Sequence, residues 1–293
     1  SQFYERFKDE KQSTVRGRIN EVVGTKLLRV KRATYILVSE DAKALIEQGD
    51  SLLLVPEIIR SCLYYDMIFL DIPYETGGQK SGNRNILSYP TICPEKFEKF
   101  IVQVQKMLKT EHSQLYFLMA GGKSSRSSAN NYLKKFNKTS LKHLAQGSLT
   151  KLTKNLKRAN MGKYLLPPEQ IHIFNHSGEL ENKEKMTFHF ELQRARLPAH
   201  GGYPTAKPIE LFREIVKQSS KVGDLIGDFF GGGGGMLEAC LELKRICHTI
   251  DISSDSINRM MDIAKRFEHT IVATNNSHYT NEQLNKFSKG VLF

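Results

Sequence analysis

Two short stretches place polar groups where a chain can handle a nucleoside. In "GDFFGGGGGMLEAC", Asp228 precedes the run Gly231 to Gly235, and Asp251 lies 17 residues after Gly234. Glycines let a backbone approach a ligand closely, and the free N–H groups at the start of the following helix favour an anionic group there. A carboxylate ending the next strand accepts hydrogen bonds from both hydroxyls of a ribose, the usual way such a unit holds a nucleoside cofactor. The dinucleotide fingerprint G-x-G-x-x-G/A does not fit. Started at any glycine of the run, it puts Met236, Leu237 or Glu238 at its third glycine position or lacks the second glycine. An acid just before the glycines suits a cofactor with a cationic amine, which Asp228 would meet. The other stretch, "DMIFLDIPYETGG", sets Asp71, Pro73 and Tyr74 directly after an apolar run: a hydrogen-bond acceptor, a stiff backbone and an aromatic ring. On these residues alone, a β-turn at a strand end is an equal alternative.

The elements that must position these groups read from apolar spacing. "YDMIFLD" is a strand ending in Asp71, and the Gly, Ser and Asn content of "ETGGQKSGNRN" marks a loop after it. "PEKFEKFIVQVQKMLKTE" spaces Phe97, Phe100, Ile101, Val104 and Leu108 as a helix, and "SQLYFLMAGG" is a further buried strand. Upstream, "ATYILVSE" is a short strand, and "DAKALIEQGDSLLLVPEIIR" mixes helical spacing with a Gly49-Asp50 turn. In the last third, helix "PIELFREIVKQSS", strand "KVGDLIGDFF", the glycine turn, helix "MLEACLELKR" and strand "ICHTIDIS" follow in order. Strand, glycine turn, helix and strand make the βαβ unit of a doubly wound parallel sheet.

Between these parts lies the most lopsided stretch of the chain. Residues 121 to 163 hold eleven Lys or Arg and no Asp or Glu. Leu133, Phe136, Leu141, Leu144, Leu149, Leu152 and Leu156 recur among the cations, which predicts helices with one packed and one basic face. "EQIHIFNHSGELENKEKMTFHFEL" then reads as two strands around a turn at Ser177-Gly178, and "RLPAHGGYPTAKP" as an irregular connector.

Composition narrows the setting. A 293-residue chain with 40% hydrophobic residues can bury a large core. A net charge of +12 and a pI near 9.4 make a polyanion the expected partner, since Lys and Arg gain affinity by releasing counterions from phosphate. Four cysteines without C-x-x-C or zinc spacing suggest neither a metal site nor a disulfide framework, and point to a reducing interior. No apolar run approaches the ~18 residues of a membrane span, and the N-terminus does not read as a signal peptide.

With these residues in place, the chain resembles the S-adenosylmethionine-dependent amino-methyltransferases of DNA, which modify adenine N6 or cytosine N4. "GDFFGGGGGMLEAC" is similar to their cofactor motif Asp-x-Phe-x-Gly-x-Gly, and "DIPY" to their catalytic (Asp/Asn/Ser)-Pro-Pro-(Tyr/Phe). "QGDSL" before the second motif and "PTAKPIEL" before the first stand at the family's expected places. The order of the four resembles the circularly permuted β-class. The resemblance implies an α/β class I methyltransferase (Rossmann-like) fold, a mostly parallel sheet with helices on both faces and an inserted target-recognition region. Residues 1–120 would form the first, catalytic part, 121–200 the basic insertion and 201–293 the cofactor-binding part. Ile72 stands where the family has its first proline, Phe229 replaces another, and Gly233-Gly234-Gly235 replace Ser-Gly-Thr.

The chemistry expected of "DIPY" has its own physical basis. The lone pair of an exocyclic amine is delocalised into the base, so the site must hold both N–H groups out of conjugation. The Asp71 carboxylate and a backbone carbonyl at Ile72 or Pro73 would each accept one, aiming the lone pair at the methyl sulfonium for in-line displacement. Tyr74 would stack on a base flipped from the duplex. Aspartate at the first position is similar to the adenine-N6 enzymes, with cytosine N4 the close alternative. The cofactor-binding set implied by the resemblance is Asp50, Lys207, Asp228, Phe230, Gly232, Gly234 and Asp251, with Lys207 on the methionine carboxylate and Asp50 on the adenine. For Lys207 a solvated lysine, and for Asp50 a turn residue, are the alternatives. Lys151, Lys154, Lys157 and Arg158 would touch DNA phosphates. His172, His176 and His189 read as packing or surface residues. The expected setting is cytoplasmic and nucleoid-associated, on double-stranded DNA within a restriction-modification system; a homodimer and a cognate endonuclease are the further partners. Methylation of RNA or of a protein glutamine, and a non-enzymatic DNA-binding subunit, are the competing readings.

Overall fold

The computed structural model describes residues 27–31, 34–37, 43–60, 63–73, 91–119, 130–152, 160–161, 164–165, 168–180, 189–193, 206–267 and 271–274. A hairpin of β1 (Leu27–Lys31) and β2 (Thr34–Leu37) comes first. Then follow β3 (Lys43–Gln48), α1 (Ser51–Arg60), β4 (Met67–Leu70), α2 (Pro94–Val104), β5 (Gln114–Met119) and β6 (Lys142–Leu152). A two-residue pair, β7 (Asn160–Met161) with β8 (Tyr164–Leu165), precedes β9 (Glu169–Asn175) and β10 (His189–Gln193). The chain continues through α3 (Ile209–Ser219), β11 (Leu225–Asp228), α4 (Gly235–Glu242), β12 (Ile246–Asp251), α5 (Ser254–Lys265) and β13 (Ile271–Thr274).

Nine strands form one sheet in the order β10-β6-β9-β5-β4-β11-β12-β3-β13. From β13 to β5 every neighbouring pair is parallel, and β9 runs antiparallel to both β5 and β6. Helices cover both faces, so the central strands are buried on both sides and read as continuous apolar runs. In β4, Ile68 and Leu70 face α1 and α2, while Met67 and Phe69 face α3, α4 and α5. Helix α2 buries Phe97, Phe100, Ile101 and Val104, the stripe its sequence spacing predicts. This is the class I methyltransferase fold, as expected. Among the described residues no helix is long and apolar enough to cross a membrane.

Two expectations fail in the basic stretch. Lys142–Leu152 is a strand rather than part of a basic helix, and it lies between β9 and β10. Gly147 and Thr150 are poor helix residues, and the five-residue step from Leu144 to Leu149 breaks helical spacing, so sheet pairing wins. The two strand-like runs around Ser177-Gly178 also do not pair with each other, because β6 sits between them. Three strands inside the span 121–200 therefore extend the main sheet, and the described part of that span is not a separate insertion. Lys154, Lys157 and Arg158 lie outside the described residues, and the side chain of Lys151 is likewise not described.

Candidate active site

Parallel pairing brings the carboxyl ends of β4, β11, β12 and β3 side by side along one edge of the sheet. Each of these ends carries an aspartate: Asp71 after β4, Asp228 in β11, Asp251 in β12 and Asp50 after β3. Ligands of open α/β sheets bind outside such an edge, where neighbouring connections leave in opposite directions.

The glycine loop between β11 and α4 is held tightly against this edge. The Gly231 N–H donates to the Ile250 carbonyl at 2.9 Å, and the Gly234 N–H to the Gly231 carbonyl at 2.8 Å. A Cβ on Gly231 would stand 2.3 Å from Thr249 Oγ1 and 2.8 Å from Met260 Sδ, so no side chain fits there. Gly234 caps α4 with φ +80°, a conformation that glycine adopts without strain. Asp251 fastens the loop from the next strand: Oδ2 accepts the Gly232 N–H at 2.7 Å and Oδ1 the Ser253 N–H at 2.8 Å. Each of these oxygens keeps a second lone pair for a ligand hydroxyl. The loop thus forms a backbone cradle that fits a nucleoside cofactor, with a carboxylate at its rim.

Asp50 Oδ1 accepts the Leu52 N–H at 2.9 Å and caps α1. The turn Gly49-Asp50 is tied to the glycine loop twice. The Gly49 N–H donates to the Asp251 carbonyl at 3.0 Å, and the Ser51 hydroxyl donates to the Phe229 carbonyl. Ser51 was not singled out by the sequence, because a buried serine at a helix start carries no motif of its own. Phe230 packs edge-on against Phe100 of α2, with ring centroids 5.7 Å apart, and leans over the apolar face rather than into solvent.

Asp228 is buried, with 3% of its surface exposed, and Oδ1 accepts the Phe230 N–H at 3.4 Å. Burial, with the nearby charges of Asp251 and Asp71 adding to it, pushes its carboxyl up to about 8. An unfolded aspartate titrates at about 3.9, so between these values the folded chain holds a proton that the unfolded chain has lost. The stability from this group is fully present below about pH 4 and is lost as pH rises toward 8. Asp228→Asn should therefore raise the melting temperature at pH 8, with the gap over the parent closing by pH 5; thermal unfolding at several pH values reads this directly.

Asp71 follows β4 with its side chain about a quarter exposed, and Oδ2 accepts a hydrogen bond from Lys207 Nζ at 2.6 Å. Lys207 sits on the segment leading into α3 and is one-tenth exposed. It also lies 4.0 Å from Glu169 Oε2, at the start of β9. The sequence-based expectation of Lys207 on a cofactor carboxylate is thus met by a different partner, the catalytic-motif aspartate itself. Ile72 is buried, and the Pro73 carbonyl accepts the Ile92 N–H at 2.8 Å, which leaves the Ile72 carbonyl as the better placed second acceptor for an amine. Tyr74 lies outside the described residues. The histidines are packing and surface groups: His172 is buried beside His143 at 3.1 Å and held neutral, its pKa lowered to about 4 by burial. His176 bonds Ser140 and the Gln105 carbonyl, and His189 bonds Ser148.

Residues 125–265 match the family described as DNA methylase, of the N6/N4 methyltransferase type. No curated protein matches the sequence. Among solved structures, the fold matches the M1.HpyAVI–SAM complex with a TM-score of 0.56 at 16% identity, over 75% of this chain and 98% of that one. PvuII DNA methyltransferase, which is cytosine-N4-specific, matches with a TM-score of 0.56 at 11% identity, over 85% of this chain and 94% of that one. A DNA modification methylase of Thermus thermophilus, TTHA0409, complexed with S-adenosyl-L-methionine, matches with a TM-score of 0.52 at 15% identity, over 80% of this chain and all of that one. The resemblance to the adenine-N6 and cytosine-N4 amino-methyltransferases drawn from four short motifs is therefore matched by the family comparison and by the fold.

Proposed function

We propose that this chain is an S-adenosylmethionine-dependent DNA methyltransferase that acts on the N6 amine of a flipped adenine. The observation that carries this reading is the placement of Asp71 one strand away from the glycine loop, with Asp251 one strand beyond, on a single sheet edge. That is the arrangement a methyl transfer to an amine requires: an acceptor that orients the nucleophile, set beside a nucleoside cradle.

When bound, S-adenosylmethionine supplies a methyl group on a sulfonium, a good leaving group. The chain's own part is to bind and orient. The glycine loop, Asp251 and the α1 cap at Asp50 hold the nucleoside end, and buried Asp228 lies under the loop where a cationic amine favours its ionised form. Phe230 fixes the loop against α2. On the other side, Asp71 and the Ile72 carbonyl each accept one N–H of the target amine, and Tyr74 supplies the stacking surface. The amine nitrogen then forms its bond to the methyl carbon as the carbon–sulfur bond breaks, and the excess proton on nitrogen leaves by way of the Asp71 carboxylate. Lys151, Lys154, Lys157 and Arg158 serve as phosphate contacts. The biological context we infer is modification within a restriction-modification system, with duplex DNA as substrate.

Cytosine N4 is the second reading, supported by the similarity to the PvuII enzyme. Incubation with methyl-labelled S-adenosylmethionine and unmethylated duplex DNA, followed by digestion to nucleosides, separates the two. Label in N6-methyldeoxyadenosine is the expected result, and label confined to N4-methyldeoxycytidine overturns the adenine assignment.

A further inference from the structure

We infer that Lys207, held between Asp71 and Glu169, is a positioning residue that sets the charge and orientation of the amine-binding carboxylate. The inference rests on the proposed role of Asp71 and deepens it. Three observations carry it. Lys207 Nζ is 2.6 Å from Asp71 Oδ2, a short charge-assisted contact, and 4.0 Å from Glu169 Oε2, the outer range of an ion pair. All three groups are largely withdrawn from water, with side chains 10%, 26% and 16% exposed for Lys207, Asp71 and Glu169, so their mutual interaction is only weakly screened. They come from three separate parts of the chain: the end of β4, the start of antiparallel β9 and the segment before α3.

The electrostatic need is plain. The edge that holds Asp71 also holds Asp228 and Asp251, and the fields of Asp71 and Asp251 both reach Asp228. Glu169 adds a further carboxylate at the side of β9. Like charges so close favour protonation of one or more of them. A protonated Asp71 would lose acceptor strength toward the amine and its capacity to take up the departing proton. The ammonium of Lys207 opposes this by favouring the ionised carboxylate. Because it bonds Oδ2, it also fixes the carboxylate plane and turns Oδ1 toward whatever occupies the edge. Glu169 plays the complementary part: its charge holds the lysine at the β9 side and tempers its pull on Asp71. A lysine engaged in this way serves the target amine rather than a cofactor carboxylate.

The test compares the parent with Lys207→Met, Lys207→Arg and Glu169→Gln. The first readout is the titration of the Asp71 carboxyl carbon in 13C-aspartate-labelled protein, assigned with Asp71→Asn. Lys207→Met should move this titration up by about one unit or more, Lys207→Arg should restore most of the difference, and Glu169→Gln should move it down by about half a unit. Opposite signs from the two substitutions are not produced by a merely structural role. The second readout is the pH dependence of methyl transfer to unmethylated duplex DNA, together with S-adenosylhomocysteine affinity by calorimetry. In Lys207→Met the acid limb should shift up in step with the carboxyl, kcat should fall about tenfold or more, and cofactor-product affinity should change by less than about threefold. An Asp71 titration unmoved by Lys207→Met, or a tenfold loss of S-adenosylhomocysteine affinity with the acid limb in place, overturns the inference. If the parent transfers no methyl group, the reading of Asp71 as the amine acceptor falls, while the carboxyl titrations still decide whether the lysine sets the charge of Asp71. Should Lys207→Met not fold, Lys207→Arg and Glu169→Gln carry the same comparison of sign.

Discussion

Asp71→Ala is expected to lower methyl transfer by about a thousandfold or more while leaving cofactor affinity within about threefold. The carboxylate stands at the end of β4, whereas the nucleoside cradle is built from the glycine loop, Asp251 and the turn after β3. Losing the carboxylate removes the acceptor that holds one N–H out of conjugation, and with it the route for the departing proton. It also strands Lys207 beside Glu169 alone. The binding surface for the cofactor is untouched. Asp71→Asn retains one acceptor oxygen but neither the charge nor the proton uptake, and should fall between the parent and the alanine variant. The check is a paired measurement of label transfer and S-adenosylhomocysteine calorimetry on each variant. Loss of affinity in step with activity would assign Asp71 to the cofactor pocket.

The second large effect is expected at Asp251. Both of its oxygens already bind backbone N–H groups, at 2.7 Å from Gly232 and 2.8 Å from Ser253. These are charge-assisted bonds, worth roughly 1.5–3 kcal/mol each. Asp251→Ala therefore removes the ribose acceptor and also unfastens the glycine loop. Cofactor affinity should fall by about a hundredfold or more, and the melting temperature should drop by several degrees. Asp251→Asn can accept only one of the two N–H groups through its single carbonyl oxygen and should lose less on both counts. Calorimetry and thermal unfolding on the same samples read the two effects. Unchanged affinity in Asp251→Ala would place the cofactor elsewhere on the sheet edge.

The parts of this site that were legible in the sequence share a property: their neighbours in space are their neighbours in a short motif. The βαβ unit from Leu225 to Asp251 could be read because strand, glycine turn, helix and strand follow without interruption, and the glycines have no place in a regular element. Asp71 could be read because an apolar strand of four buried residues ends abruptly in polar ones. Glu169 had no such signal. It belongs to the site only because β9 runs antiparallel to β5, which puts its first residue at the edge where the parallel strands finish, and strand direction is not written in a seven-residue apolar run. The Lys207 partner was misjudged for a related reason. The motif around it names a place in the chain, but the choice between a cofactor carboxylate and Asp71 depends on a distance spanning 136 residues.

The basic stretch shows the opposite failure. Leucines spaced among lysines predicted helices, yet Lys142–Leu152 became a strand inside a sheet whose β9 edge would otherwise be exposed. Gly147, Thr150 and the irregular leucine step weigh against a helix more heavily than the density of cations weighs for one. Net charge is informative about a polyanionic partner and silent on secondary structure.

The most direct test of the central claim, that this sheet edge transfers methyl groups to a DNA amine, is a competition. The protein is given methyl-labelled S-adenosylmethionine together with unmethylated duplex DNA, structured RNA and a mixture of unmodified proteins, and the label is followed into each class. Label on an exocyclic amine of the DNA bases is the predicted result. Label on RNA or protein, or no transfer by a chain that binds the cofactor, would contradict it.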